Sequence, residues 1–149
     1  MAAPVKRKER PVRAGTQAGR TNPVAVLFGF ALLVLPGLAL ARMGKTMDWR
    51  FLAGLWVVLC VVSYSLYRSD KRRAEAGEWR IPESTLHLFE LLGGWPGAYL
   101  AQRQYRHKTA KQSYQVVYWL IVLTYQWVAG DFLADWKWSR SIVLFIKSK

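Results

Sequence analysis

The residues best suited to chemistry lie in one otherwise apolar stretch of the sequence. Glu83, His87 and Glu90 follow one another at spacings of four and three residues, which places them on one face of a helix. His107 follows a little further along the chain. Ionisable side chains at membrane depth are costly and mark candidate functional sites. These carboxylates and imidazoles could exchange protons with a substrate, so the four residues form our candidate catalytic set.

The same groups could instead hold a metal ion. Imidazole and carboxylate ligands suit zinc or iron, and the ligands would be His87, Glu90 and His107, with Glu83 as a further ligand or as a base. The sequence contains no HExxH or CxxC pattern to support this hypothesis. It therefore identifies no cofactor.

Ion pairing is the structural alternative to both kinds of chemistry. Glu83 and Glu90 would neutralise Arg80, Arg103 or Lys108 across a bend in the chain, and the histidines would form hydrogen bonds to the backbone. On this interpretation the polar residues serve folding and topology alone.

A fourth interpretation is a site for an anionic ligand or a lipid headgroup. Basic side chains would hold the anion, and Glu83 and Glu90 would order those bases. The residues assigned to such a site are Asp70, Lys71, Arg80, Arg103, His107 and Lys108.

The elements that must position these residues are helices in a membrane. The chain is 52% hydrophobic, yet it carries 22 Lys and Arg residues against nine Asp and Glu. The two kinds of residue are segregated, with apolar segments at about residues 24–41, 51–67, 83–105 and 116–134 separated by short basic ones. Uncharged runs of 17 or 18 residues approach the length that crosses a bilayer. The pattern predicts an all-α polytopic membrane protein with three to four transmembrane helices.

The third apolar segment differs from the others because residues 93–97 read Gly-Gly-Trp-Pro-Gly. Glycine and proline so close together end or kink a helix. We expect two short helices, at about residues 83–92 and 96–105, forming either a re-entrant hairpin or one broken span. In a re-entrant hairpin Asp70, Lys71, Arg80 and His107 would meet at one mouth. Tyr64 and Tyr67, at the end of the second segment, suit the headgroup level.

Charge distribution suggests the domain organisation and the orientation. Residues 1–22 are basic and almost without apolar residues, which predicts a disordered cytoplasmic tail, and residues 23–149 form the helical transmembrane domain. Both topologies place 15 of the 22 Lys and Arg residues in the cytoplasm together with the N-terminus. The basic residues are thus expected to contact the lipid bilayer and its anionic headgroups, and nucleic acid is disfavoured as a partner.

Several short motifs, in this order and spacing, resemble a small bacterial inner-membrane domain family of unknown function. The motifs are Asp70-Lys71-x-x-Ala74, Arg80-Ile81-Pro82-Glu83, Leu86-His87-Leu88, Gly93-Gly94-Trp95-Pro96-Gly97 and His107-Lys108-Thr109. The resemblance covers about residues 51–129 and implies a bacterial inner-membrane location but no activity. Some members of the family carry an N-terminal cold-shock domain. Residues 1–22 are too short for one and have no aromatic RNA-stacking motif, so the resemblance gives no support for an RNA role here.

Three functional hypotheses follow from these observations. The first is binding of an anionic ligand or headgroup at the cytoplasmic side of the membrane. The second is an enzyme, a transferase or reductase, acting on a lipid-soluble substrate. The third is a transport or structural partner, which would need self-association because four helices are few for a transport path. Gly37, Gly54 and the pair Gly93/Gly94 offer faces for close helix packing.

Overall fold

The computed structural model describes residues 22–45, 48–106 and 108–148. The regular structure of these residues is entirely helical. The elements are α1 (Pro23–Met43), α2 (Trp49–Ala76), α3 (Glu83–Phe89), a π-helical turn (Glu90–Gly94), α4 (Trp95–Tyr105), α5 (Gln112–Leu133) and α6 (Lys137–Lys147). Helices α1, α2 and α5 are long and apolar enough to cross a membrane. The predicted all-α polytopic membrane fold is thereby confirmed. The predicted tail lies outside the described residues except for Asn22.

Polar caps at the helix starts explain where the first two helices begin. The side chain of Asn22 accepts a hydrogen bond from the backbone N–H of Val24, and Asp48 does the same for Arg50. Helix α2 continues well past the apolar segment, through the charged residues 68–76, to Ala76. Lysine, arginine, glutamate and alanine are good helix formers, so the charged stretch prolongs the helix beyond its apolar part.

The third apolar segment is a re-entrant hairpin. Its first helix begins beside the end of α2, where the backbone N–H of Ile81 donates to Asp70 at 2.9 Å. Its tip lies beside Trp56, whose indole N–H donates to the Gly93 carbonyl at 2.9 Å. Just after its second helix, Lys108 returns to within 3.4 Å of Asp70. Both ends of the hairpin therefore lie at one end of α2, which we call the Asp70 end.

A positive backbone angle at Gly93 makes the turn of the hairpin. Its φ is +118°, inside the π-helical turn that joins α3 to α4. Side chains other than glycine rarely adopt this conformation, so a glycine here is required by the backbone itself. The break expected from the glycine-rich residues 93–97 is confirmed at this position.

The buried core surrounds α4. Trp95, Ala98, Tyr99 and Ala101 on this short helix are buried against residues of α2, α3 and α5. The hydroxyl of Tyr99 donates to the backbone carbonyl of Ala25 at 2.7 Å, which ties the hairpin to the start of α1. The three long helices thus enclose the hairpin and hold its polar residues in place.

Candidate functional site

Four charged side chains form an ion-pair cluster at the Asp70 end, which we call the outer cluster. Lys108 lies 3.4 Å from Asp70 and 3.0 Å from Glu83, and Lys111 lies 2.8 Å from Glu83. The side chain of Asp70 is fully buried and that of Lys108 is only 7% exposed. The cluster joins the end of α2, the start of α3 and the segment before α5. It therefore holds the two ends of the hairpin together.

Glu83 gives the outer cluster a dependence on pH. A hydrogen bond from Lys111, with a further contribution from Lys108, lowers the pKa of Glu83 from its ordinary value of 4.5. A carboxyl group whose pKa is lowered in the folded state stabilises the fold at any pH above its ordinary pKa. This contribution is lost as the pH falls through the lowered pKa. We expect the melting temperatures of the parent protein and of Glu83→Gln in mild detergent to converge as the pH falls below 4.5.

The comparison with Glu83→Gln is needed because the pKa of a second carboxylate is also lowered in the folded state. Arg42 lowers the pKa of Asp135 at the other end of the molecule. Asp135 contributes equally to both proteins, so their difference isolates Glu83. A gap that stayed constant through the acidic range would contradict the role assigned to Glu83.

A second polar cluster, the inner network, lies deeper in the hairpin around Glu90. The Glu90 side chain is fully buried, and it accepts hydrogen bonds from the hydroxyl of Tyr67 and, at 2.8 Å, from that of Tyr114. The two hydroxyl oxygens lie 2.5 Å apart. The amide of Gln102 donates to the Tyr67 hydroxyl at 3.0 Å. A carboxylate removed from water is thus held by hydroxyl donors from α2 and α5, and the α2 hydroxyl in turn accepts a hydrogen bond from α4.

His87 connects this network to the surface. Its Nδ1 lies 2.7 Å from the Glu90 carboxylate, and its ring stacks on Tyr114 with the centroids 4.1 Å apart. In the tautomer that donates from Nδ1 to this carboxylate, Nε2 is left as an acceptor. The Nζ of Lys108 lies 5.0 Å from the Tyr114 ring centroid. The arrangement can therefore orient an imidazole as a base, next to a cation of the outer cluster.

The local geometry of α3 explains why these residues meet. Glu83 at the start of the helix faces the lysines of the outer cluster, whereas Glu90 opens the π-helical turn and faces α2. Such turns widen one helical repeat and are frequent at functional sites. On α2, Tyr67 and Asp70 are three residues apart, so one face of the helix serves both clusters.

An open cleft of about 560 Å³ borders the outer cluster. It is formed by the segment between α2 and α3 on one side and by Lys108 on the other. Its lining residues are Gly77, Glu78, Trp79, Arg80, Ile81, Pro82, Glu83 and Lys108. Arg80 forms no ion pair with any other described residue, and the neighbouring Trp79 is 92% exposed. The cleft thus offers a guanidinium that is available to an anion.

The structure brings together some of the residues predicted from sequence and separates others. Glu83 pairs with Lys108, one of the partners expected under the ion-pairing interpretation. Glu90 instead contacts tyrosines and His87. Arg103 lies over the ring of Tyr99 at 5.2 Å.

The structure gives Lys71 a partner outside both clusters. Lys71 forms an ion pair with Glu75 within α2. His107 lies outside the described residues, so the candidate catalytic and metal sets that include it remain predictions. Among residues 22–45, 48–106 and 108–148, no group of three His, Cys, Asp or Glu side chains could hold a metal ion.

Sequence reasoning missed the tyrosines and one lysine of the site. Tyr67 was expected at the headgroup level, but it is fully buried inside the bundle. Tyr114 and Gln102 gave no signal in the sequence, because a neutral side chain beside an apolar segment is common. Lys111 belongs to the basic segment that follows the hairpin, and only the fold shows that it reaches Glu83.

Comparison with known proteins places the same region in a family. A profile of the family described as "Protein of unknown function (DUF1294)" matches residues 60–114, from the middle of α2 to the first turn of α5. The match contains the whole hairpin with Glu83 and Glu90, and also Tyr67 and Tyr114 of the inner network.

A curated relative extends this result. The uncharacterized protein YsdA of Bacillus subtilis (strain 168) is 31% identical over 64 residues, which make up 43% of this chain and 72% of the relative. No solved structure matches the chain. With this identity and coverage, and with the profile match over the hairpin, the chain belongs to the DUF1294 family of proteins of unknown function.

Proposed function

We propose that this protein is a multi-pass protein of the bacterial inner membrane that binds an anionic phosphate group at the cleft beside the outer cluster. The Asp70 end and the N-terminus would lie in the cytoplasm, as the excess of Lys and Arg in the segments at that end supports. The phosphate could belong to a lipid headgroup or to a soluble molecule, and the recognition chemistry is the same in both cases.

The observation that carries this proposal is a set of cations without carboxylate partners. Residues 68–111 hold nine Lys and Arg residues against five Asp and Glu. The ion pairs of this region use lysines, whereas none of its arginines forms an ion pair within the described part of the chain. These arginines are Arg68, Arg72, Arg73, Arg80, Arg103 and Arg106. Guanidinium groups suit bidentate phosphate recognition.

The position of the cleft favours a lipid headgroup as the source of that phosphate. Arg80 and the exposed Trp79 lie between the end of a membrane-length helix and the start of the re-entrant hairpin. Tryptophan and arginine at such a level suit the interface between headgroups and water. The outer cluster holds this cleft in place, because it fixes the start of α3 against α2.

Replacing Arg80 should weaken the binding of anionic lipid. One basic residue near an anionic surface contributes about 1 kcal/mol, so we expect Arg80→Gln to bind phosphatidylglycerol about fivefold more weakly. The measurement is a titration of the purified protein with phosphatidylglycerol in mild detergent, followed by native mass spectrometry. Arg50→Gln is the matched control, because Arg50 lies at the opposite end of α2, where its guanidinium lies over the ring of Trp49.

A second titration, with inorganic phosphate, distinguishes a lipid headgroup from a soluble molecule as the source of the phosphate. Displacement of bound phosphatidylglycerol by millimolar phosphate would indicate a soluble ligand, and resistance to displacement would indicate a headgroup. Equal lipid affinity in Arg80→Gln and Arg50→Gln would refute the proposal, because the cleft would then contribute nothing specific.

A further inference from the structure

Helix α6 is fixed to the end of α5 by a buried carboxylate. The side chain of Asp131 is 1% exposed and accepts hydrogen bonds from the backbone N–H groups of Trp138, at 3.0 Å, and Ser139, at 3.3 Å. The Trp138 ring packs so closely on Gly130 that a Cβ atom there would lie 2.9 Å from it. Asp135 and Trp136 both adopt positive φ angles in the turn between the helices. The direction in which α6 leaves α5 is therefore set by specific contacts.

Although its start is anchored, no residue of α6 is buried. Its 11 residues would extend about 16 Å, too short to cross a bilayer. Trp138, Ile142 and Ile146 recur every four residues on one face and are each about half exposed or more. The opposite face carries Lys137, Arg140 and Lys147, and α6 contains no acidic residue. The helix is amphipathic, with a face for an apolar medium and a face for anions.

We infer that α6 lies in the surface of the bilayer, with Trp138, Ile142 and Ile146 inserted among the lipid chains and its basic face against anionic headgroups. Charge complementarity carries the choice of partner, because an apolar face backed by three cations and by no carboxylate matches an anionic lipid surface. Position supports it, because α6 follows directly on a helix of membrane-spanning length and composition. Tryptophan at the start of the helix suits the same level.

Single-cysteine labelling can measure the depth of each face. Cys60 is the one native cysteine, so a Cys60→Ser background allows an environment-sensitive fluorophore to be placed on Ile142→Cys or Ser141→Cys. Ile142 lies in the middle of the apolar face, and Ser141 lies at the border between that face and the basic one. In nanodiscs containing phosphatidylglycerol, nitroxide-labelled lipids should quench the label at 142 several-fold more than the label at 141. A water-soluble quencher should show the reverse order.

Two further comparisons make the inference falsifiable. Arg140→Gln should reduce lipid quenching of the label at 142 in phosphatidylglycerol nanodiscs and leave it unchanged in phosphatidylcholine, where no anionic headgroup is present. Equal quenching of both positions would overturn the inference. So would a label at 142 that is shielded from both quenchers only at high protein concentration, because α6 would then pack against a second copy.

Discussion

Replacing Gly97 with alanine should detach the re-entrant hairpin from α2. A Cβ atom on Gly97 would lie 2.0 Å from the carbonyl oxygen of Cys60, 2.7 Å from its carbonyl carbon and 2.9 Å from its Cα. All three are backbone atoms of a helix, so no side chain can rotate to relieve the contact. Overpacking a core typically costs about 1–3 kcal/mol, and we expect Gly97→Ala to reach about 3 kcal/mol or more because α4 must move as a whole.

Gly54→Ala provides the matched control on the same helix pair. Gly54 lies within α2, and a Cβ there would meet nothing within 4 Å. Alanine is favoured over glycine in a helix interior by about 0.5–1 kcal/mol, so this variant should be unchanged or slightly more stable. The measurement is unfolding of both variants in mild detergent with increasing denaturing detergent. Equal stabilities would mean that the hairpin does not pack against α2 at this distance.

The break in the third apolar segment was predictable because its cause is local. Glycine and proline act on their own backbone, so the sequence of residues 93–97 sufficed to place it. The choice between a hairpin and a broken span was not predictable. Both topologies place the same number of Lys and Arg residues, 15 of 22, on the cytoplasmic side. What distinguishes a hairpin from a broken span is contacts between separate segments, such as Ile81 with Asp70 and Trp56 with Gly93.

The sequence sufficed to find the ionisable residues of the site, but it did not show which neutral side chains form hydrogen bonds with them. Helical spacing predicted Glu83, His87 and Glu90 on one helical face, whereas in the structure Glu83 faces the lysines of the outer cluster and Glu90 opens the π-helical turn toward α2. Pairing of Glu83 with Lys108 was among the expected arrangements. Tyr67 lies at the end of an apolar segment, where the bilayer alone would put it at the surface. It is buried because the hairpin covers it, and a rule that treats each helix separately cannot show this.

Removing the carboxylate of Glu90 should strongly lower the free energy of unfolding. Its Oε1 accepts hydrogen bonds from the hydroxyls of Tyr67 and Tyr114, and its Oε2 lies within hydrogen-bond distance of the Nδ1 of His87. Taking away the shared acceptor leaves these two buried hydroxyls unsatisfied, at about 1–3 kcal/mol for each, so the loss is about 2–6 kcal/mol. We expect Glu90→Ala to lose that amount in detergent unfolding. Glu78→Ala, in the exposed segment after α2, should stay within about 0.5 kcal/mol of the parent.

A double-mutant cycle tests whether the network acts as a unit. Tyr67→Phe removes the hydroxyl that donates to Glu90 and accepts from Gln102, yet keeps the packed ring. Once Glu90 is absent, this hydroxyl has lost its main acceptor, so its removal should cost less than in the parent. We expect the two substitutions to fall short of additivity by about 0.5–3 kcal/mol. Strict additivity would show that Tyr67 and Glu90 stabilise the fold independently, and the close packing of α2, α4 and α5 would then hold the hairpin without them.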